Sequence, residues 1–405
     1  MKVLQVNILF NHGSTGKIVA DIHKGLCDNE IQSIVCYGAG QRTNASNIYK
    51  LAYHYELSFY RIWAHIMGLQ YASGYLSTNR LIQIINIEKP DIVHLHCING
   101  FFIHVYRLMN FLKRNNISTV ITLHAEFMYT GSCGHAFECE KWKTGCGDCH
   151  QLWDATYSYH LDRTASAWIK MKSSYENFNN LVITCVSPWV YDRAKQSPLL
   201  EGKKIVTVEN GIDTKNIFHP VPFQDLKHRL GIRTEKIILH VTANFSSREN
   251  DLKGGRFIYQ LADNLKDENI KIVIVGCDDI GVEVLPNMIN IGKIYDQKLL
   301  AQYYSMADLT VITSKRETFS MPSIESLACG TPVVGFKAGG PETICLKKYS
   351  EFIDYGDIMA LTSGVKKWIN FKEKNEDEIN SFATNHYSNE EMCNKYIKIY
   401  KHLHN

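Results

Sequence analysis

The chain has 405 residues, 45% of them hydrophobic and 21% charged, and a formal net charge of +3. This length exceeds one ordinary core and suits two domains. The balance is that of a globular protein: it excludes a strongly basic nucleic-acid binder, and no apolar run is long enough to span a bilayer.

The first apolar segment, KVLQVN, runs into Asn11-His12-Gly13 without a small-residue cleavage site. It reads as a buried strand and not as an export signal. A cytoplasmic location is expected, where the 12 cysteines are thiols or metal ligands before they are disulfides. The stretch NHGSTGKI follows. Its glycines, Gly13 and Gly16, stand too close together for a nucleotide-triphosphate loop, and Ile18 replaces the hydroxyl that would hold magnesium. It also fails the G-x-G-x-x-G spacing. What remains is a small-residue loop, Gly13, Ser14, Thr15 and Gly16, leading into a helix whose free amides make an anion site. A plain tight turn is the alternative.

Next comes YKLAYHYELSFYRIWAHIMGLQYASGY, rich in aromatics with scattered positive charge. It reads as packed core, or as a face lying on a membrane or gripping a lipid-linked molecule. The runs SIVCYG, DIVHLH, STVITLH and LVITCVS in the first half, and KIILHVT, KIVIVG, LTVITS and TPVVGF in the second, are continuous and rich in Val and Ile. They suit parallel strands covered on both faces. Helical patterns at 17–27, 102–114, 253–265 and 297–306 alternate with them, so the class is α/β. His94 and His96 share one strand face by period two, packing being expected for His94 and ligand contact for His96.

Between these strands, CGHAFECEKWKTGCGDCH gathers Cys133, Cys139, Cys146 and Cys149, with a Cys-x-x-Cys pair at its end. Four thiolates would hold a structural zinc that ties down a loop poor in apolar residues; free thiols and disulfides are the alternatives. Around ENGIDTKNIFHPVPFQDLKHRLGIRTEK the strands give way to turn residues and two prolines. The boundary is placed there, giving domains 1–212 and 213–387, with a helix over 388–405 expected to cross back to the first. Two doubly wound domains of this kind face a central cleft, and their ligands bind beyond the carboxyl ends of the strands.

The stretch SKRETFSMPSIESLACGTPVVGFKAGGPETI carries Glu317 just past a strand. Pro322 is placed to open a helix, with Glu325 expected in its first turn. A carboxylate there can accept two hydrogen bonds from a ribose diol. A favourable charge near a helix start is the plainer account of Glu325, but it leaves Gly330, Pro332 and the Gly339-Gly340 turn unexplained.

In these residues the chain resembles the retaining glycosyltransferases of family 4, of the GT-B fold. Their signature is two glutamates separated by seven residues, in a loop, helix and strand that end in a Gly-Gly turn. PDIVHLH, TLH, VENGID, KGG and a helix after YSNEE fall in the same order. The resemblance implies a nucleotide diphosphate sugar as donor, UDP before GDP, and a hexose-type sugar. It implies a saccharide acceptor, often lipid-linked, in polysaccharide assembly such as lipopolysaccharide or capsule, at the inner face of the membrane.

Glu325 would bind the ribose and Glu317 the donor sugar, with Thr318, Phe319 and Ser320 presenting backbone around them. Lys253 would neutralise the pyrophosphate as charge develops on the leaving nucleotide. The family's usual arginine position holds Asn244, and Arg248 is the nearest substitute. Gly13 to Gly16 would close over the pyrophosphate, and His124 would contact the sugar near its reacting carbon. Glu126 would face the acceptor. A front-side attack is implied in place of double displacement, with no metal required for catalysis; no Asp-x-Asp tripeptide is present. A non-catalytic sugar-nucleotide-binding protein and a sugar-nucleotide epimerase are the rival readings.

Overall fold

The computed structural model describes residues 1–404 apart from 44, 244, 247, 250 and 279–283, and the backbone alone at Asp154 and Ala155. The chain folds as two compact units, Met1–Glu209 with Met392–Asn405, and Asn210–Glu391.

The first unit is built on a seven-stranded sheet: β1 Lys2–Asn7, β2 Gln32–Tyr37, β3 Ile48–Lys50, β4 Ile92–Leu95, β5 Ser118–Leu123, β6 Leu181–Cys185 and β7 Lys204–Thr207. Its order is β3-β2-β1-β4-β5-β6-β7, and every pairing is parallel. Parallel strands need crossover connections, which lay helices on both faces. Val3, Leu4, Val6, Val93 and Leu95 are accordingly without solvent exposure. The helix Asn389–His404 packs against this sheet through its far end. Tyr400 Oη lies 2.6 Å from His94 Nδ1, and Tyr396 Oη 2.8 Å from Thr122 Oγ1.

The second unit has six strands: β8 Lys236–Val241, β9 Ile270–Val275, β10 Met288–Gly292, β11 Leu309–Ile312, β12 Val333–Phe336 and β13 Ser350–Ile353. Its order is β10-β9-β8-β11-β12-β13, again parallel throughout. Ile238, Ile272, Val311 and Val334 meet Leu261 and Leu361 in one core, each such side chain contributing about 1.5–3 kcal/mol of burial. In both sheets the strand order reverses once, between β1 and β4 and between β8 and β11. Ligands of doubly wound sheets bind beyond the strand ends at that reversal, so the loops after these four strands define where to look. Among the described residues no helix is long and apolar enough to cross a membrane.

Candidate active site

In the second unit the loops after β8 and β11 meet at the reversal. Lys253 sits in the turn before the helix Gly255–Asn264, and its Nζ lies 2.6 Å from Glu317 Oε1. The turn needs glycine. Gly254 has φ +69°, and a Cβ there would stand 2.2 Å from the carbonyl oxygen of Thr313. Thr313 Oγ1 in turn donates to the Lys253 carbonyl at 2.9 Å. Glu317 is fixed through its backbone: its N–H donates to the Ala338 carbonyl, and its carbonyl accepts from Gly340 N–H at 2.8 Å. Gly340 approaches so closely that a Cβ would meet Thr318 at 2.6 Å. The Gly-Gly turn therefore clamps the Glu317 loop and sets the direction of its carboxylate.

The loop ends at Ser320, which holds φ +95° although it is not glycine, a conformation that costs about 1–3 kcal/mol and collects at functional sites. It precedes the helix Met321–Ala328, which has no side-chain cap and no acidic residue in its first turn. Its leading N–H groups are open to an anion. By contrast, Asp296, Asp357 and Asn375 cap the helices that follow them. Phe319 turns its ring inward, edge-on to Tyr387 at 5.9 Å, so only its backbone faces the loop. The helix begins at Met321, with Pro322 second, and Glu325 is its fifth residue. Glu325 thus lies in the second turn and not the first. A charge interacting with the helix end is weaker there. Tyr304, buried in the helix Gln297–Met306, donates its hydroxyl to Glu325 Oε2 at 2.9 Å. Arg248 is exposed, its N–H bonded to Ser246 Oγ at 3.1 Å. Asn244 lies outside the described residues.

In the first unit the loops after β1, β4 and β5 carry the expected residues. Gly13, Ser14, Thr15 and Gly16 are not a loop ahead of the helix but its own first turn, Gly13–Asp28. Gly13 takes φ +64°. This start also lacks a side-chain cap and an acidic residue. Asn7, buried at the end of β1, ties the region together. Its Nδ2 donates to the Leu9 carbonyl at 2.6 Å and to Thr15 Oγ1 at 3.4 Å, while its Oδ1 accepts from Cys97 N–H at 3.0 Å.

His124 Nε2 lies 3.2 Å from His96 Nδ1, the rings stacked at 5.5 Å. Dense packing pushes the pKa of His124 down to about 3, although its edge keeps partial contact with solvent. Burial, and then the neighbouring His94 and His124, hold His96 well below the usual histidine range. Both rings are neutral near pH 7 and can each donate one hydrogen bond and accept another. His96 Nε2 is buried without a protein partner among the described residues. His94 has both its nitrogens engaged, with Tyr400 and with Thr122, and serves packing. Glu126 does not face an acceptor: it is fully buried and accepts from Arg193 Nη2 at 3.0 Å.

Cys133, Cys139, Cys146 and Cys149 carry no disulfide. Burial first, then Cys146, Cys149 and Cys139, pushes the Cys133 thiol well above its usual range. Burial, Cys139 and Cys149 likewise raise Cys146, to about 12. Among the described residues no group of three or more His, Cys, Asp or Glu side chains is set to hold a metal ion. Burial also raises the Cys149 thiol above its usual range. Backbone contacts secure the loop: Trp142 Nε1 donates to the Cys139 carbonyl at 2.8 Å, and Cys149 N–H to Asp162 Oδ2 at 2.6 Å.

Sequence reasoning missed Tyr304 and Asn7. An aromatic in an amphipathic helix gives no sign of a polar duty. Asn7 left one signal, a lone amide closing an apolar strand.

Two glycosyltransferase families account for most of the chain. Residues 15–216 match the family described as Glycosyltransferase Family 4, and residues 224–384 that described as Glycosyl transferases group 1. The chain belongs to the family 4 glycosyltransferases of the GT-B fold. The glycosyl transferase WcaC of Escherichia coli (strain K12), named for colanic acid biosynthesis, is 20% identical over 100% of both chains. N-acetyl-alpha-D-glucosaminyl L-malate synthase of Bacillus anthracis is 28% identical over 40% of this chain and 43% of its own. Sucrose-phosphate synthase of Thermosynechococcus elongatus has the same fold, with a TM-score of 0.69 at 15% identity over 99% of this chain and 98% of that one. Anabaena HepE in complex with UDP superposes with a TM-score of 0.67 at 15% identity, over 99% and 100%.

Proposed function

We propose that the chain transfers a hexose-type sugar, with retention of anomeric configuration, from a UDP-sugar to a lipid-linked saccharide. The setting is cell-surface polysaccharide synthesis at the cytoplasmic face of the membrane. One observation carries the reading. In the second unit Lys253 pairs with Glu317 at 2.6 Å, beside a helix start with open amides, and Glu325 lies one turn further along that helix. A cation and free N–H groups suit a diphosphate. A carboxylate one turn away suits a ribose diol, and another at the loop suits sugar hydroxyls. The full-length likeness to a protein named for colanic acid biosynthesis supports the polysaccharide setting. The complexes of HepE with UDP and UDP-glucose support the choice of base.

In this reaction the acceptor oxygen forms a bond to the anomeric carbon as the bond from that carbon to the phosphate oxygen breaks. The acceptor proton passes to the departing phosphate. Lys253 and the N–H groups of Ser320, Met321 and Ser323 stabilise the charge that develops there, so catalysis calls on no divalent ion. Glu317 orients the sugar, and Glu325 holds the nucleoside. The same reading gives the Gly13–Gly16 turn a pyrophosphate contact and neutral His124 a hydrogen bond to the sugar. Arg248 adds a second cation.

Steady-state kinetics with a panel of sugar nucleotides, products being identified by mass spectrometry, tests the proposal. Glu317→Ala should lower kcat by about 100-fold to 1000-fold. Glu325→Ala should chiefly raise donor KM. Unchanged kinetics in both variants, or isomerised sugar without transfer, would reject it.

A further inference from the structure

The helix His54–Met67 buries Glu56, Tyr60 and Ala64 on one side. Its other side shows Tyr55, Phe59, Ile62 and Ile66, exposed by 69%, 63%, 57% and 55%. Their spacing of four, three and four residues makes one continuous stripe. The stripe extends beyond the helix. His65 lies 5.7 Å from Trp153 and 5.5 Å from Tyr159, and those two rings stack at 5.3 Å while each stays about half exposed. Apolar surface of this extent on a soluble chain marks an interaction site.

Charge chooses the occupant. Between Lys50 and Glu88 the sequence contains one acidic residue, Glu56, and it is 3% exposed and bound to Arg80 at 2.7 Å. Arg61, exposed on the flank of the same helix, is answered by no acid on this helix. Exposed Tyr and Trp rings on a face that also carries an exposed cation match the interfacial zone of a bilayer. The four stripe side chains are each more than half exposed. A fluid layer accommodates such projections, whereas a rigid partner would need a matching pocket for each.

We infer that this face of the first unit, centred on Tyr55, Phe59, Ile62 and Ile66 with Arg61 beside them, docks on an anionic lipid bilayer. It supplies the surface for the membrane location proposed above. Vesicle binding is read without donor or acceptor, so the inference fails separately from the transfer reaction.

The test is co-sedimentation of the full chain with vesicles of phosphatidylcholine alone or with equimolar phosphatidylglycerol, alongside light scattering and circular dichroism. The wild type should pellet with the anionic vesicles and less with the neutral ones. Arg61→Ala should weaken the anionic partition about fivefold, the effect of one basic residue near such a surface. Phe59→Asp with Ile62→Asp should weaken it at least about tenfold, with the folded spectrum retained because both positions are exposed. A wild type that stays in the supernatant with anionic vesicles at low salt would overturn the inference. So would equal binding by all variants. A wild type that ignores vesicles but dimerises, with the double variant monomeric, would assign the face to a second copy of the chain instead.

Discussion

In the second unit Glu317, Thr318, Phe319, Ser320 and Glu325 fall within nine consecutive residues, and Lys253 joins them through one ion pair. In the first unit Asn7, the Gly13 turn, His96 and His124 come from the ends of three different strands. A loop, helix and turn that store their chemistry in one stretch leave a motif. A site gathered from distant strand ends leaves single residues that each look like packing. The surfaces differ as well. Among the described residues, thirteen of the sixteen large apolar side chains recorded as exposed lie in the first unit and three in the second. One unit presents a polar ligand site on an apolar core. The other keeps buried polar groups at its sheet and turns apolar side chains outward.

The buried histidines offer the largest test of this contrast. In the first unit burial holds His94 and His96 well below the usual histidine range and takes His124 down to about 3. In the second unit burial takes His240 down to about 4. The unfolded chain protonates all of them near pH 6.5. Below that pH it binds more protons than the folded state, so stability falls as pH drops toward the folded values and is unaffected above. His240 alone accounts for a loss on the order of 3 kcal/mol by pH 4, and three coupled rings should exceed one. The first unit should therefore open at higher pH than the second. Hydrogen exchange by mass spectrometry between pH 7 and 4 resolves the two units. Simultaneous opening, or earlier opening of the second, would remove the contrast.

Burial also decides which strands were legible. The four strands that no apolar run announced are β3, β7, β10 and β13, the edges of the two sheets. Their side chains are mostly half-buried, as the burial of IYK and SEFI shows, because an edge strand has one neighbour and need not be apolar on both faces. KVLQVN and KIILHV, flanked on both sides, read almost to the residue. At the site, the residue types of the glutamate motif were visible but not their turns: Met321 precedes Pro322 in the helix and makes Glu325 its fifth residue, past the first turn. Gly13 likewise lies inside its helix. Tertiary partners such as Tyr304 for Glu325 and Arg193 for Glu126 come from elements that no local pattern connects.

A smaller effect should separate the units in the other direction. Gly254→Ala forces a residue with a side chain into φ +69°, with its Cβ 2.2 Å from the Thr313 carbonyl oxygen. A cost of about 2–3 kcal/mol is expected, confined to the second unit, together with displacement of Lys253 and a higher donor KM. Differential scanning calorimetry should show the second unit's transition lowered and the first's unmoved. An unaltered thermogram would mean that the KGG turn relaxes freely and that its glycines do not position the cation.

The smallest effect asks whether the second unit's site is as local as its motif. Tyr304 reaches Glu325 from the preceding helix, its hydroxyl donating to Oε2 at 2.9 Å. Burial, with the adjacent Glu325, raises the Tyr304 pKa well above its usual value, so the phenol remains a donor across the physiological range. Tyr304→Phe removes one hydrogen bond to a charged, partly accessible acceptor while keeping the ring in its packing. A loss of about 1 kcal/mol, or about fivefold in donor KM at constant kcat, follows. The thermal transition should barely move, since the phenylalanine ring fills the same space. A change in kcat without KM would place Glu325 nearer the reacting carbon than the ribose. No change in either would leave the motif's helix able to orient its carboxylate unaided, and the site would then be local in fact as well as in sequence.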